Sequence, residues 1–293
     1  VDRYLIPVLG KLKLIDLTPN IIQQMYNRMV KDGYGLRTIQ LTHSILHRAL
    51  VHAVKLGLLP RNPDDATSPP KPEPKEMKFW DEIQAQRFLL IAKQSDQQFY
   101  ALFHLALVTG MRQGELLGLM WRDLNWETKL IKVQRQLIKK IGGGYELASP
   151  KTRAGTRLVE LGDHTLGILK EHSLRQFSNI QRMGDSWQEH DLMFPSEIGT
   201  FFDKANLRKR FKKLTKEAGL QDIRFHDLRH TAASLMLNND TPLIIVSRRL
   251  GHSRPSITLD VYGHLIPGRQ GEVANYMDQI LTPIQVDFQD LGE

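Results

Sequence analysis

The sequence predicts a mainly α-helical protein with two domains and one small three-stranded antiparallel sheet. Three observations support this fold class. Most apolar residues recur at helical spacing. Residues 130–161 contain segments in which apolar and polar residues alternate, as is typical of strands, and residues 60–75 are rich in proline. A length of 293 residues is also sufficient for two domains. We therefore expect a small helical domain, a linker and a larger helical domain that carries the sheet.

Residues 1–59 are predicted to form the small helical domain. Thr18 precedes Pro19, a pairing typical of a helix start, and this helix should run to about Val30. A second helix is predicted from about Leu36 to Lys55. The first ten residues lack an initial methionine and resemble the end of a helix, so we expect further chain upstream.

The second predicted helix has a basic stripe opposite an apolar face. At 100° per residue, the four residues of the stripe fall within about 40° of one another. The stripe consists of Arg37, Ser44, Arg48 and Lys55, and the apolar face of Ile39, Leu46, Leu50 and Ala53. Residues 1–59 carry eight basic and three acidic side chains. This pattern suits a helix laid against DNA, although an ordinary solvated amphipathic helix is the commoner cause of the same pattern.

Residues 60–75 contain six prolines, a density that excludes a helix or a central strand. We interpret them as an extended linker to a second domain over residues 76–293. A hinge in this linker would let the two domains close around a duplex.

The second domain is predicted to be helical around the strands at 130–138, 145–148 and 157–161. Its first helices are predicted at 83–93 and 98–109, and Arg112 begins a third near 111–120. A turn at Gly142-Gly143-Gly144 joins the first two strands. Further helices are predicted at 165–181, 202–218, 226–237, 242–250, 256–262 and 271–281.

Composition narrows the class of protein. Hydrophobic and charged contents of 41% and 25% are ordinary for a globular chain, and no apolar run is long enough to span a bilayer. The absence of cysteine excludes disulfides and thiolate metal sites. A net charge of +8 favours a polyanionic partner.

One polar segment, Phe225–Thr231, places histidines on both sides of Arg229. Arg112 lies far upstream after Thr-Gly-Met, and His252 and Tyr262 follow downstream. The planar guanidinium of arginine can donate two parallel hydrogen bonds to phosphate oxygens. Imidazoles transfer protons near neutral pH, and an activated tyrosine hydroxyl is a nucleophile. Together these residue types predict covalent chemistry on a phosphate diester.

Five motifs in this order resemble the tyrosine recombinases, or phage-type integrases. They are Thr109–Leu116, Ser149–Arg153, His226–Thr231, Leu250–His252 and Thr258–His264, and the resemblance extends from about Leu5 to about Tyr276. It implies a core-binding domain, a catalytic domain and cofactor-free cutting and rejoining of DNA through a 3′-phosphotyrosyl intermediate. Integration or excision of a phage or conjugative element is the implied role.

The resemblance also implies partners and a setting. We expect double-stranded DNA attachment sites, a homotetramer on DNA and an excisionase or DNA-bending accessory protein. The expected location is the bacterial cytoplasm, at the nucleoid.

The resemblance assigns a role to each matching residue. Arg112 and Arg229 are expected to hold the non-bridging phosphate oxygens, Tyr262 to attack phosphorus, and Lys151 to protonate the departing 5′-oxygen. Of the neighbouring cations, Arg153 and Arg157 are expected to be phosphate contacts or surface charges.

The supporting roles are also taken from the resemblance. His226 is the expected base on the tyrosine proton, His252 is expected to contact or position the phosphate, and Glu115 to support the site. His230 is interpreted as a structural residue.

Several alternatives remain open at this stage. His226 and His230 have the spacing of two metal ligands, but no third ligand is evident and we predict no metal site. Residues 242–262 resemble a helix-turn-helix, which would suit a non-catalytic regulator. A type IB topoisomerase shares the chemistry, and chromosome-dimer resolution is another use for a recombinase. Tyr276 lies close to Tyr262 in the chain but follows no matching motif.

Overall fold

The computed structural model describes residues 1–73, 77–150, 152–263 and 270–281, without the side chains of Arg153, Gln270 and Glu272. The chain divides into two compact units, Val1–Glu76 and Met77–Glu293. Helices dominate both units and the strands are short and antiparallel, which confirms the predicted mainly α class. Within the described ranges, no helix combines the length and the apolar character that crossing a membrane requires.

The first unit contains helices α1 (Ile6–Leu9), α2 (Pro19–Lys31) and α3 (Leu36–Lys55). The predicted bounds of α2 and α3 are confirmed to within one residue. Thr18 caps α2 as expected, because its Oγ1 accepts a hydrogen bond from the backbone N–H of Ile21 at 3.4 Å. The predicted faces of α3 are also confirmed: the four apolar residues are buried and the four stripe residues are exposed.

The proline-rich segment differs from the predicted extended linker over residues 60–70. Residues Pro63–Ala66 form a short 3-10 helix that packs on α2 and α3. The buried Asp64 accepts hydrogen bonds from Tyr26 Oη at 3.1 Å and Thr67 Oγ1 at 2.7 Å. The Pro70 carbonyl accepts one from Gln40 Nε2 at 2.9 Å. Prolines remove N–H donors, but their carbonyls and the polar residues between them still bind the helices.

The second unit contains nine α-helices in its described part. They are α4 (Glu82–Ser95), α5 (Gln97–Thr109), α6 (Gln113–Leu116), α7 (Asp163–Met183), α8 (Lys204–Glu217), α9 (Asp227–Asn238), α10 (Leu243–Leu250), α11 (Pro255–Tyr262) and α12 (Gln270–Leu281). Helix α5 is central, since only Gln97, Gln98 and Val108 of its residues are not buried. Helix α6 is shorter than predicted. Gly114, within it, and Gly118, two residues beyond its end, lie close to the backbone of residues 136–137, where a Cβ would be 2.9 Å and 3.1 Å, respectively, from the nearest backbone atom.

The strands form two sheets, which corrects the predicted single sheet. Strands β1 (Leu124–Asn125), β2 (Leu130–Val133) and β5 (Arg157–Glu160) make the three-stranded sheet, and β3 (Gln136–Lys139) pairs with β4 (Tyr145–Ala148) in a separate two-stranded sheet. The predicted strand over 130–138 is therefore two strands. It breaks where the side chains of Gln134 and Arg135 bind the buried carboxylate of Asp123.

Candidate active site

The end of α5 places Arg112 at the start of α6. Gly110 adopts a left-handed backbone with φ +64°, and a Cβ there would collide with Leu250 Cδ2. Glu115 accepts two hydrogen bonds from Arg112. Its Oε2 accepts the Arg112 backbone N–H at 3.0 Å, and its Oε1 accepts from Nη1 at 2.8 Å. Arg112 is therefore oriented although 41% of its side chain is exposed.

Arg229 lies in the first turn of α9 and is buried. Its Nη1 donates to the Gly110 carbonyl at 2.8 Å, whereas its buried Nη2 has no hydrogen-bond partner among the described residues. Burial, and then the charge of Arg112, lower the pKa of Arg229 to about 9, so the guanidinium stays protonated at neutral pH. A buried cation with an unused donor is a strong site for an anion.

Tyr262 ends α11 and is only 1% exposed. Its hydroxyl lies 2.8 Å from His230 Nδ1, and His230 Nε2 lies 4.0 Å from Asp227 Oδ1. Burial raises the pKa of Tyr262 to about 12, against the opposing charge of Arg229. Burial also lowers the pKa of His230. The phenol is therefore protonated and the imidazole neutral, and in the His230 tautomer that carries its proton on Nε2 the phenol donates to Nδ1.

His226 does not contact the Tyr262 hydroxyl, in contrast to the role expected from the sequence. It occupies the N-cap position of α9 without a side-chain capping hydrogen bond, is exposed, and its ring centroid lies 5.5 Å from that of His230. His230, which was interpreted as structural, has the contact expected of His226. The reason is the packing of α9 and α10 around Tyr262, which brings the second histidine of the motif to the hydroxyl.

His252 follows the left-handed Gly251 at the end of α10. Its Nδ1 lies 2.7 Å from Thr258 Oγ1, at the start of α11. Burial, followed by the charges of Arg229 and Arg112, lowers the pKa of His252 to about 4. The imidazole is therefore neutral near pH 7.

The other predicted residues belong to the first unit, lie outside the described residues or pair with Glu115. Lys151 and the side chain of Arg153 lie outside the described residues. The stripe on α3 belongs to the first unit, and Ser44 Oγ donates to the Gln40 carbonyl at 2.8 Å. Arg157 was expected at the surface or on a phosphate, but its side chain is 6% exposed and paired with Glu115. The expectation of a surface charge was therefore wrong.

Helix α8 has a basic face that the sequence interpretation missed. Seven of its 14 residues are Lys or Arg. Its exposed cations are Arg208, Lys209, Lys212, Lys213 and Lys216, and its buried apolar residues are Leu207, Phe211 and Leu214. The charge density alone could have identified this surface. In the part of the chain that the structure describes, no group of three His, Cys, Asp or Glu residues is arranged to hold a metal ion.

Comparison with known proteins defines the family. Residues 78–268 match the phage integrase family, and the chain belongs to this family of tyrosine recombinases. It is 33% identical over 275 residues to a XerC-like tyrosine recombinase of Caldanaerobacter subterraneus, covering 88% of this chain and 70% of the relative. It is 26% identical over 281 residues to the ICEBs1 integrase of Bacillus subtilis, and this match covers 96% of this chain and 76% of that relative.

A solved structure shows the same fold. The Tn1549 transposon integrase in complex with a circular intermediate DNA superposes with a TM-score of 0.76 at 20% identity. The match covers 93% of this chain and 88% of that chain. The protein is thus a tyrosine-type site-specific recombinase, an enzyme that cuts and rejoins DNA.

Proposed function

We propose that Tyr262 is the nucleophile of this recombinase and that Arg112, Arg229, His230 and His252 form its phosphate site. The observation that carries the proposal is the Tyr262–His230 hydrogen bond beside Arg229, whose buried Nη2 has no partner among the described residues. A scissile phosphate would supply the anion that this guanidinium lacks. Arg112 would bind the same phosphate through the part of its side chain that Glu115 leaves exposed.

The reaction is a transesterification. Tyr262 Oη attacks phosphorus, its proton passes to His230 Nδ1, and the bond from phosphorus to the 5′-oxygen breaks. Lys151, by the family resemblance, gives a proton to the departing 5′-oxygen. Arg112 and Arg229 stabilise the charge on the non-bridging oxygens as the transition state forms. The 3′-phosphotyrosyl link conserves the ester, so a 5′-hydroxyl of a partner strand reverses the step without ATP.

The remaining residues have supporting roles in this proposal. Asp227 faces the far nitrogen of His230 and would stabilise the imidazolium that forms when the tyrosine proton arrives. His252, a neutral imidazole beside both arginines, would donate a hydrogen bond to the phosphate. His226, which the family resemblance suggests as a base, is exposed and would contact the DNA instead.

Two basic surfaces would bind the DNA backbone, one on each unit. The stripe on α3 offers Arg37, Arg48 and Lys55, and α8 offers its exposed cations. Lysines and arginines on one helix face are suited to phosphate contacts, which fix position without reading sequence. The same proposal includes Arg153 as a backbone contact, from its place in the matching motif.

The proposed role is the integration and excision of a mobile element. The relatives named integrases, and a structural neighbour bound to a circular transposon intermediate, support this role. Strand exchange between two duplexes needs four active sites, so we propose a homotetramer on DNA, assisted by an excisionase or a DNA-bending protein. The enzyme would act on bacterial DNA in the cytoplasm.

The experiment that tests the proposal traps the covalent intermediate. A nicked suicide substrate loses the short strand that carries the 5′-hydroxyl, so each cleavage leaves a DNA adduct that survives a denaturing gel. We expect Tyr262→Phe to bind the substrate and form no adduct, whereas Tyr276→Phe, at an exposed tyrosine, forms it normally. An adduct with the Tyr262→Phe variant would show that the nucleophile lies elsewhere.

A further inference from the structure

Arg157 lies under the active site and joins three segments of the second unit. Its Nη2 donates to Glu115 Oε2 at 2.9 Å, its Nε to the Arg249 carbonyl at 2.7 Å, and its Nη1 to the Gly155 carbonyl at 3.2 Å. Each of the three guanidinium nitrogens therefore donates a hydrogen bond to another group of the protein. With 6% of its side chain exposed, Arg157 is positioned to hold protein segments rather than DNA.

The contact with Glu115 connects Arg157 to the proposed phosphate site. Glu115 Oε2 accepts from both Arg157 and the Arg112 backbone, and Oε1 accepts from the Arg112 side chain. Burial alone would raise the pKa of Glu115, but the charge of Arg157 and the hydrogen bonds from both arginines lower it below its usual range. The carboxylate is therefore ionised and shared between two guanidiniums.

The second connection runs to the loop that carries His252. Gly251 has a left-handed backbone, and a Cβ built on it would lie 2.8 Å from Arg157 Nη1 and 3.0 Å from Arg157 Cδ. The chain immediately before His252 therefore rests on the Arg157 side chain. The third connection, to Gly155, holds the turn that enters β5, four residues after Lys151 in the sequence.

We infer that Arg157 is a positioning residue for strand cleavage, an assignment that rests on the proposed function. It offsets part of the negative charge of Glu115, so that the net positive potential from Arg112 at the phosphate is stronger. It also holds the His252 loop against β5. Without Arg157, Glu115 would pair with Arg112 alone, and the field of the cluster at the scissile phosphate would weaken.

The test separates charge balance from structural support. Arg157→Met removes the charge, Arg157→Lys keeps it on a side chain that cannot bind in three directions, and Glu115→Gln combined with Arg157→Met removes both charges. Arg135→Met is the matched control, because Arg135 also pairs with a buried carboxylate of this unit, Asp123, whose other partners are Met120 and Gln134 rather than Arg112. Cleavage is followed in a single turnover at saturating protein, and DNA affinity is measured separately.

The substrate provides a readout that a structural role would not change. A methylphosphonate at the scissile position lacks one charged oxygen, so its cleavage depends less on positive charge. We expect Arg157→Met to slow cleavage of ordinary DNA by about tenfold to 10²-fold, less than loss of an arginine that touches phosphate. The loss should shrink on the methylphosphonate, and both Arg157→Lys and the double variant should cleave ordinary DNA faster than Arg157→Met.

Several outcomes would overturn the inference. They are wild-type cleavage by Arg157→Met, an equal loss on both substrates, or the same substrate-dependent loss in Arg135→Met. A wild-type chain that forms no Tyr262 adduct would overturn the proposed function, and the role of Arg157 with it. A normal wild-type adduct combined with any of the first three outcomes would overturn the positioning role alone.

Discussion

Replacing His230 by alanine is the most direct test of the arrangement at the nucleophile. The hydroxyl of Tyr262 lies 2.8 Å from His230 Nδ1, and His226 lacks this contact. If His230 accepts the tyrosine proton during attack, its loss should slow cleavage by about 10²- to 10⁴-fold at neutral pH, the usual contribution of a general base. His226→Ala is the matched control on the same helix start.

The pH dependence sharpens this prediction. Burial raises the pKa of Tyr262 to about 12. The phenolate is therefore roughly 10⁻⁵ of the population at pH 7 and roughly 10⁻³ at pH 9, since each pH unit changes the ratio tenfold. A variant without a base depends on this pre-formed phenolate. The cleavage rate of His230→Ala should thus rise about tenfold per pH unit over this range.

The wild-type profile should differ in shape. Burial lowers the pKa of His230, so the imidazole stays a neutral acceptor at neutral pH and is lost only when it is protonated in acid. Wild-type cleavage should be nearly level from pH 7 to 9 and fall only below about pH 6.5. Rates are measured on the nicked substrate in single turnover. A level profile in His230→Ala, or a steep one in His226→Ala, would refute the assignment.

Two further predictions concern charge. Arg229→Gln should reduce the cleavage rate on the order of 10²-fold or more while DNA affinity changes little, because the Arg229 guanidinium stabilises the transition state. An equal loss of affinity and cleavage would instead show that Arg229 positions the DNA. Joint replacement of Arg37, Arg48 and Lys55 by alanine should reduce the slope of log affinity against log salt by up to about three, and an unchanged slope would leave this stripe as a solvated face.

The helices illustrate what local sequence determines. Thr18 and Pro19 define the start of α2, and Asp81 and Gln84 form reciprocal cap bonds at the start of α4, because capping involves only neighbouring residues. The motifs likewise predicted Arg112, Arg229, His252 and Tyr262 as site residues without a structure, since each motif is short and their order is specific. The Lys and Arg density of α8 was equally readable from the sequence.

Other features depend on contacts between distant segments. The break between β2 and β3 follows from Gln134 and Arg135 binding Asp123, and alternation along one strand carries no sign of it. The proline segment folds onto the first unit because its carbonyls and Asp64 meet donors on α2 and α3. Periodicity describes a single element, so it does not predict which polar groups elsewhere in the chain will bind that element.

The sequence alone determined the identity and order of the motif residues, which predict chemistry on a phosphate diester. Only the tertiary structure decided how two of them pair. The packing of α11 against α9 and α10 brings Tyr262 to His230 rather than His226, and the pairing of β5 with β2 buries Arg157 beneath Glu115 and Gly251. Both outcomes depend on three-dimensional packing between segments that lie far apart in the chain.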